Sequence, residues 1–325
     1  MSDLPRLPAS WRIGPDHVIR LDAPVIIGII NRTPDSFYAD SRHASTTAAS
    51  EQAARMAQAG AGVLDLGGES TRPGAARIPV DEQIARVIPT IQAIRAAGVN
   101  LPISIDTTRL DVARAALDAG ANIINDVSAG EESEDRIFTL AAERSAGLIL
   151  MHRLRPPDTD AFSNAYASAP VYTDGVVHTV CAYLQARAEA ALRAGVSQEA
   201  IVLDPGLGFG KTVEQNHKLI RRIDEVAALG YPVLCAVSRK SFVGIAHSTE
   251  TSLPVADRLS GSIAIAQTMQ RTGLRLFRVH DVADHVAALS DVPGDSPQPG
   301  HGNNPASTRV CEPGRGKLAR PPTGR

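Results

Sequence analysis

Polar side chains follow short apolar segments at regular intervals along this chain of 325 residues. Asp106, Asn125 and Asp204 stand where such segments end, and carboxylate and amide groups can pair with the N–H and C=O edge of a flat heterocycle. Other segments are followed by residues suited to binding phosphate, namely Arg72, Arg239, Lys240, Arg278 and, as a further candidate, His280. The two sets together predict a ligand with a polar ring at one end and a phosphate group at the other.

The elements that position these residues repeat along the chain. An alanine-rich helical stretch ends at a glycine, a continuously apolar strand follows, and a polar residue comes next, as in Ala119-Gly120 before Ile123-Ile-Asn-Asp126. Strands that are apolar on both faces are typical of a buried parallel sheet. We predict strands near 25–30, 62–67, 101–105, 122–125, 147–151, 200–203, 232–236 and 275–278. Helices are predicted near 46–59, 81–97, 109–118, 135–145, 175–194, 212–229, 255–272 and 282–289.

Eight strand–helix units favour an α/β fold, a single-domain (β/α)8 TIM-type barrel, which typically takes about 250 residues. An open doubly wound sheet is the rival, but it usually has a glycine-rich nucleotide turn, and no GxGxxG follows the first strand. Active sites of such barrels lie at the C-terminal ends of the strands. A polar residue at one strand end is explained by contact with water, whereas eight polar strand ends at once favour a functional site.

The same pattern predicts three segments of the chain. Residues 1–22 form an N-terminal extension or hairpin, residues 23–292 form the barrel, and residues 293–325 form a disordered tail rich in Pro, Gly, Ser, Asn and Arg. The net charge of −2 argues against a nucleic-acid partner. Three separated cysteines argue against a disulfide framework. No run of 18 apolar residues and no secretory signal are present, so we expect no membrane contact and a cytoplasmic location.

Seven motifs in this order resemble the dihydropteroate synthase family across residues 25–285. They are Asn31-Arg-Thr-Pro-Asp-Ser-Phe37, Gly68-Glu-Ser-Thr-Arg-Pro-Gly-Ala75, Ser104-Ile-Asp-Thr107, Ile124-Asn-Asp-Val127, Asp204-Pro-Gly-Leu-Gly-Phe-Gly-Lys211, Ser238-Arg-Lys-Ser-Phe242 and Arg278-Val-His-Asp-Val282. The resemblance implies a pterin-binding transferase of folate biosynthesis, the target of sulfonamides. Such an enzyme condenses 6-hydroxymethyl-7,8-dihydropterin diphosphate with p-aminobenzoate, and the products are 7,8-dihydropteroate and diphosphate.

The resemblance also implies a role for each matching position. The pterin-binding residues, with Met151 lining their pocket and Arg278 covering the ring, are Asp106, Asn125, Asp204 and Lys240. Diphosphate and Mg2+ are anchored by Asn31, Arg278 and His280, and a mobile second loop contributes Thr71 and Arg72. The p-aminobenzoate region comprises Phe37, Pro73, Phe209, Lys240 and Ser241, with a helix beginning near Ser241. The catalytic assignments are Asp106, Asp204, Lys240 and Arg278. A homodimer is expected, with the alanine-rich helix 255–269 as a candidate interface.

The first loop departs from the family pattern. Arg32 replaces an apolar residue, Ala39 stands where an acidic residue is usual, and two glycines are missing. The residues after His152 also differ, since the usual methionine and glycine are absent from Arg153-Leu-Arg-Pro-Pro157. Because the first loop should close over the incoming amine, we hypothesise that it alters the discrimination between p-aminobenzoate and sulfonamides.

Several residues have competing interpretations. His152 is either catalytic or, as we favour, a packing and hydrogen-bonding residue, and Glu69 is either a base or a residue that fixes its loop. Lys211 ends a stretch that resembles a P-loop, but Pro205 stands where that motif requires glycine, so we assign Lys211 a structural role or a rim charge. Two other functions remain open: a pterin-dependent methyltransferase, and a non-catalytic paralogue that binds pterin or a protein.

Overall fold

Continuously apolar segments form the parallel strands that the sequence predicts. The computed structural model of the chain describes residues 7–31, 39–244 and 253–290, with backbone only for residues 39–45. Its strands are β1 (Ser10–Arg12), β2 (Val18–Arg20), β3 (Val25–Asn31), β4 (Val63–Gly67), β5 (Ile103–Asp106), β6 (Ile123–Asp126), β7 (Gly147–Met151), β8 (Ile201–Asp204), β9 (Leu234–Cys235) and β10 (Leu276–Val279).

The eight strands β3 to β10 form one parallel sheet in the order β8-β7-β6-β5-β4-β3-β10-β9. A parallel bridge between Leu203 and Val233 connects β8 to the segment before β9, and the Leu203 amide donates to the Pro232 carbonyl at 2.9 Å. These contacts join the two ends of the sheet into a ring. The (β/α)8 barrel prediction is confirmed, with helices alternating with the strands.

The helices match the predicted ones with three differences, one of which is that Val255–Arg258, the start of the predicted helix 255–272, forms a 3₁₀ helix. They are α1 (Ala39–Gln58), α2 (Val80–Ala96), α3 (Leu110–Asp118), α4 (Arg136–Glu143), α5 (Val176–Arg193), α6 (Val213–Arg221), α7 (Ile223–Ala227), α8 (Leu259–Arg271) and α9 (Val282–Ser290). α1 begins seven residues before the predicted residue 46. The earlier start was not predicted because Ala39-Asp-Ser-Arg-His-Ala-Ser45 has no apolar periodicity that would reveal a helix. The predicted helix 212–229 is interrupted at Arg222, whose backbone leaves the helical region at φ −120° and ψ 32°.

The hairpin of β1 and β2 packs at one end of the barrel. The two strands pair antiparallel, with Trp11 opposite Ile19. Trp11 is fully buried, and its indole Nε1 donates to the Ala200 carbonyl at 2.9 Å. The predicted tail 293–325, the first six residues and most of the first loop (residues 32–38) lie outside the described residues. Across the described ranges, no helix combines the length and apolarity needed to cross a bilayer.

The barrel interior is arranged in layers, because successive side chains of a strand point to opposite faces. The lower layer is apolar and packs with Trp11, and it comprises Ile27, Val63, Ile123, Ile149, Val202, Leu234 and Leu276. The side chains two residues further along the same strands form the next layer on the same face, and these include Ile29, Asp65, Asn125, Met151, Asp204, Ala236 and Arg278. The polar residues therefore occupy the layer above an apolar floor, towards the C-terminal ends of the strands.

Candidate active site

Arg278 connects opposite parts of the polar layer. Its guanidinium donates through Nε to Asp65 at 2.6 Å and through Nη2 to Asp106 at 2.7 Å. The two carboxylates are almost fully buried, with 1% and 4% of their side chains exposed. Burial alone would lower the pKa of Arg278, but the neighbouring carboxylates outweigh it and raise that pKa. The site therefore holds a permanently charged guanidinium between two acidic side chains.

Asp106 and Asn125 leave hydrogen-bonding capacity free for a ligand. Asp106 Oδ1 is buried and has no partner among the described residues, although such buried polar atoms are normally satisfied. Burial and the nearby carboxylate of Asp65 raise the pKa of Asp106 to about 7, while the Arg278 charge opposes the shift. The Asn125 amide lies 3.4 Å from both oxygens of Asp65, a long contact. A ligand N–H group would satisfy Asp106 Oδ1.

Asp204 and Lys240 form the other polar wall. Asp204 Oδ1 accepts a hydrogen bond of 2.7 Å from the Gly206 amide, and burial raises the pKa of Asp204. Burial lowers the pKa of Lys240 to about 8, while the Asp204 carboxylate opposes the shift. The Lys240 ammonium lies 4.6 Å from the centre of the Phe209 ring. These side chains combine a carboxylate, a cation and an aromatic face in one place.

An apolar cluster completes the deep part of the site. Met151, at the end of β7, packs with Val127 and Phe209, and all three side chains are buried. This cluster lies beside the polar residues Asp204 and Lys240. A flat ring with polar edges could contact the apolar cluster through one face and the carboxylates through its edge.

A cavity of about 260 Å³ opens above the polar layer. Its lining contains no carboxylate among the described residues and is rich in basic and hydroxyl side chains, including Asn31, Thr71, Arg72, Ser238, Arg239, Lys240, Ser241, Arg278 and His280. Phe209 and Pro73 add apolar surface. Arg239 pairs with Asp281, Nε to Oδ2 at 2.8 Å, and Arg278 pairs with Asp65 and Asp106, so part of the charge of each is neutralised. The remaining cations favour an anionic ligand.

The loop that carries Thr71 and Arg72 is held outside the cavity by a backbone hydrogen bond and by ion pairs. Glu69 accepts a 2.6 Å hydrogen bond from the Ile78 amide, which supports its interpretation as the residue that fixes this loop. Further along the same loop, Arg77 donates to both oxygens of Glu132 at 2.9 Å. Arg153, one of the departures from the family pattern, is buried and donates to the same carboxylate.

Lys211 is fully buried, so its interpretation as a rim charge is wrong. Its Nζ lies 2.9 Å from the carbonyls of Gly206 and Phe209 and 3.0 Å from His152 Nδ1. His152 is itself buried beside Tyr183, with ring centroids 5.0 Å apart, which fits the packing role.

A Cβ on Gly206, where φ is +65°, would lie 1.8 Å from the His152 carbonyl. This close approach requires glycine and shapes the loop that carries Phe209.

The structure adds two features to the site expected from the sequence: the form of the helix at Ser241 and the position of Asp65. Ser241 begins a four-residue 3₁₀ turn, Ser241–Gly244, and in the part of the chain that the structure describes the next α-helix begins only at Leu259. A helix therefore does begin at Ser241, as the resemblance implies, but its described part is a short 3₁₀ helix and not an α-helix. Asp65 was missed as a site residue. The signal that could have found Asp65 is the alternation of side chains along a strand: because Val63 faces the barrel interior, Asp65, two residues later, must face it too.

Together, the barrel and its C-terminal mouth define an enzyme class: an α/β barrel that receives a polar heterocycle bearing an anionic group. Residues 27–280 match the family described as pterin binding enzyme. A dihydropteroate synthase from Synechocystis sp. is 41% identical over 258 residues, covering 79% of this chain and 85% of that protein. The solved Burkholderia cenocepacia dihydropteroate synthase complexed with 7,8-dihydropteroate is 38% identical with a TM-score of 0.74, covering 88% of this chain and 95% of that one.

A Haloferax volcanii protein described as a probable bifunctional folylpolyglutamate synthase/dihydropteroate synthase is 40% identical over 269 residues. The match covers 83% of this chain but only 30% of that longer protein. The chain belongs to the dihydropteroate synthase family of pterin-binding enzymes. The similarity to the bifunctional protein is limited to one part of its length.

Proposed function

We propose that this chain condenses 6-hydroxymethyl-7,8-dihydropterin diphosphate with p-aminobenzoate, yielding 7,8-dihydropteroate and diphosphate. The observation that carries the proposal is the position of Arg278. Its side chain contacts the buried carboxylates of Asp65 and Asp106 and also lines the cation-rich cavity. A ring-binding site and an anion-binding site thus share one residue, as a ligand with both groups requires.

The pterin would lie in the deep part of the site. The unpartnered Asp106 Oδ1 would accept from an N–H of the ring, and Asn125 can both donate and accept. Asp204 and Lys240 would pair with the remaining polar atoms of the pterin. Met151 would pack against the flat face of the ring.

The diphosphate would lie in the cavity among the cations Arg72 and Arg278 and the hydrogen-bond donors Thr71 and His280. When the bond between the pterin methylene carbon and the diphosphate oxygen breaks, negative charge develops on the leaving group. Positioned cations stabilise such charge more effectively in a partly dehydrated site than in water. The electron-rich pterin delocalises the positive charge left on the methylene, and the buried carboxylates of Asp106 and Asp204 stabilise it.

Asn31 fits a Mg2+ ion that is bound mainly by the substrate. It is the exposed last residue of β3 and lines the cavity, and it supplies one neutral oxygen. No cluster of three or more His, Cys, Asp or Glu residues suited to a metal occurs within the described ranges. Mg2+ commonly keeps several waters and binds substrate phosphates, so Asn31 would contribute one ligand. Bound there, Mg2+ would neutralise charge on the diphosphate.

The p-aminobenzoate would occupy the outer part of the cavity beside Phe209, Lys240 and Ser241. Its aromatic ring would pack against Phe209 and Pro73, and its carboxylate would pair with the hydroxyl and ammonium groups. The amine is neutral at pH 7 and attacks the methylene carbon directly. A C–N bond to the methylene carbon forms after the C–O bond has broken, and the amine proton passes to the diphosphate or to water. Orientation within the cavity supplies much of the rate.

A product assay tests this function. The purified chain is incubated with the dihydropterin diphosphate, radiolabelled p-aminobenzoate and Mg2+, and labelled dihydropteroate is separated by chromatography. We expect product from the native chain and at most one hundredth of that rate from Asp204→Asn or Lys240→Ala. Pterin binding without product would instead support a non-catalytic paralogue, and complementation of a synthase-deficient cell gives an independent answer.

Three further expectations stay predictions. A homodimer, with the alanine-rich helix predicted at 255–269 as the candidate interface, is tested by the molar mass in solution. A cytoplasmic location is tested by fractionation of the native cells. The altered first loop should change sulfonamide inhibition constants relative to a typical family member, and constants close to the typical ones would argue against that hypothesis.

A further inference from the structure

Ser238 contacts two nitrogen atoms of the same histidine. Its hydroxyl oxygen lies 3.1 Å from the backbone nitrogen of His280 and 3.1 Å from the ring nitrogen Nδ1. Ser238 is 5% exposed and follows β9, while His280 directly follows the neighbouring strand β10. The contact therefore joins the loops at the ends of two adjacent barrel strands.

The hydrogen atoms of this contact can be assigned by counting donors. A hydroxyl has one proton and two lone pairs. The His280 backbone N–H can only donate, so it occupies one lone pair of Ser238. The Ser238 proton has no other acceptor among the described residues, and a buried donor without a partner is costly. Donation from the hydroxyl to Nδ1 satisfies that proton within the protein, and it places the single proton of a neutral His280 ring on Nε2.

The surroundings keep the ring neutral and leave Nε2 available. Burial, together with the charges of Arg278 and Arg239, lowers the pKa of His280 to about 4, and the Arg72 charge acts in the same direction while Asp281 opposes it. His280 lines the cavity, and Nε2 has no hydrogen-bond partner among the described residues. An Nε2–H group would donate to an anion there, whereas a bare Nε2 would repel it.

We propose that Ser238 is a positioning residue that holds His280 in the Nε2–H tautomer, so that His280 donates a hydrogen bond to the diphosphate of the substrate. The inference rests on the proposed function, because that function supplies the diphosphate. The Ser238 hydroxyl determines which ring nitrogen of His280 carries the proton. This contact also explains how a neutral histidine can contribute to an anion site whose charges come from arginines.

The tautomer can be measured without turnover. Long-range 1H–15N NMR of the histidine-labelled chain distinguishes protonated from unprotonated ring nitrogens, and His280 is assigned by its loss in His280→Gln. We expect the Nε2–H form in the native chain. We expect a mixture of tautomers in Ser238→Ala, and the native pattern in Ser262→Ala, which removes another buried hydroxyl that does not contact His280. An Nδ1–H form in the native chain would overturn the proposal.

Binding of inorganic diphosphate with Mg2+, followed by calorimetry, gives the energetic test. Loss of one neutral hydrogen bond predicts a Kd about three- to tenfold higher for Ser238→Ala. In a His280→Gln background, where the amide supplies its own donor, the same substitution should change Kd by less than about twofold. Equal effects in both backgrounds would show a merely structural role for Ser238. Because neither readout uses product formation, a failure here is distinct from a failure of the proposed reaction.

Discussion

The contact between Asp65 and Arg278 gives the sharpest prediction about the site. Asp65→Asn keeps the volume and one hydrogen-bond acceptor but removes a buried negative charge 2.6 Å from the guanidinium. A hydrogen bond to a charged group contributes about 1.5–3 kcal/mol. Each factor of ten corresponds to about 1.4 kcal/mol, and part of the interaction survives through the amide and Asp106. We therefore expect kcat/KM for the dihydropterin diphosphate to fall about 10- to 100-fold.

The same substitution should move the pH dependence in a defined direction. In the native chain the pKa of Asp106 is about 7, and the charge of Asp65 is one of the factors that raise it. The pterin N–H needs the ionised form of Asp106 as its acceptor, so activity should decline as the pH falls through about 7. Removing the Asp65 charge lowers the pKa of Asp106. The acidic limb of the kcat/KM profile should therefore shift to lower pH in Asp65→Asn.

Steady-state kinetics between pH 5 and pH 9 with both substrates measure both effects. Asp118→Asn is the matched control, because it removes the partner of a solvent-exposed arginine, Arg144, and such pairs contribute little. We expect the control to match the native profile. If Asp65→Asn stays within twofold of the native kcat/KM and its acidic limb does not move, the assignment of Arg278 as the residue joining the two halves of the site is wrong.

Three further predictions concern neighbouring parts of the structure. Phe209→Ala should raise the KM for p-aminobenzoate about tenfold and weaken pterin binding less, because Met151 and Val127 remain in the deep cluster, and equal losses for both substrates would contradict its place in the outer cavity. Lys211→Met leaves the Phe209 carbonyl and His152 Nδ1 without the donor that the ammonium provides and should lower the free energy of unfolding in urea by about 2–4 kcal/mol, whereas the exposed Lys218→Met should change it by less than about 0.5 kcal/mol. Burial opposes ionisation of Glu132, but hydrogen bonds from arginine outweigh it and lower the pKa of that carboxyl to about 2. The contribution of Glu132 to the stability of the fold should therefore be fully present above about pH 4.5 and be lost as the pH falls towards 2. This pH-dependent loss of stability, about 2 kcal/mol after solvent screening, should be absent in Glu132→Gln. An unchanged slope of stability against pH would refute this role of Glu132.

Most of the fold could be predicted from the sequence because the barrel repeats one local pattern. Most strand residues are apolar on both faces and most helices are followed by a glycine, so the number and order of strands follow without tertiary information. The start of α1 could not be predicted, because residues 39–45 carry no apolar periodicity. The break at Arg222 was also missed, since the apolar pattern continues from α6 into α7.

The site residues divide in a similar way. Asp106, Asn125 and Asp204 could be found because they stand at or next to the ends of apolar strands. Asp65 lies inside the segment Val63-Leu-Asp-Leu66, where a single acidic residue looks like an interruption of the core. Its role depends on Arg278, which is 213 positions away in the chain. Likewise, the sequence around Lys211 does not reveal that three acceptors lie within 3.0 Å of its ammonium group.

Asp106 also provides a test of whether the site is built at a cost to stability. Burial raises its pKa to about 7, so the folded chain binds a proton more tightly than the unfolded chain, and stability should decrease as the pH rises from about 4 to about 7. Asp106→Asn mimics the neutral form and leaves Asp65 to pair with Arg278. We therefore expect the variant to have at least the native Tm at pH 8 and a flatter pH dependence, although kcat/KM falls at least 100-fold. A Tm several degrees below the native value at pH 8 would mean that the Arg278 pair outweighs the burial of the charge, and that the carboxylate stabilises the fold as well as the ligand.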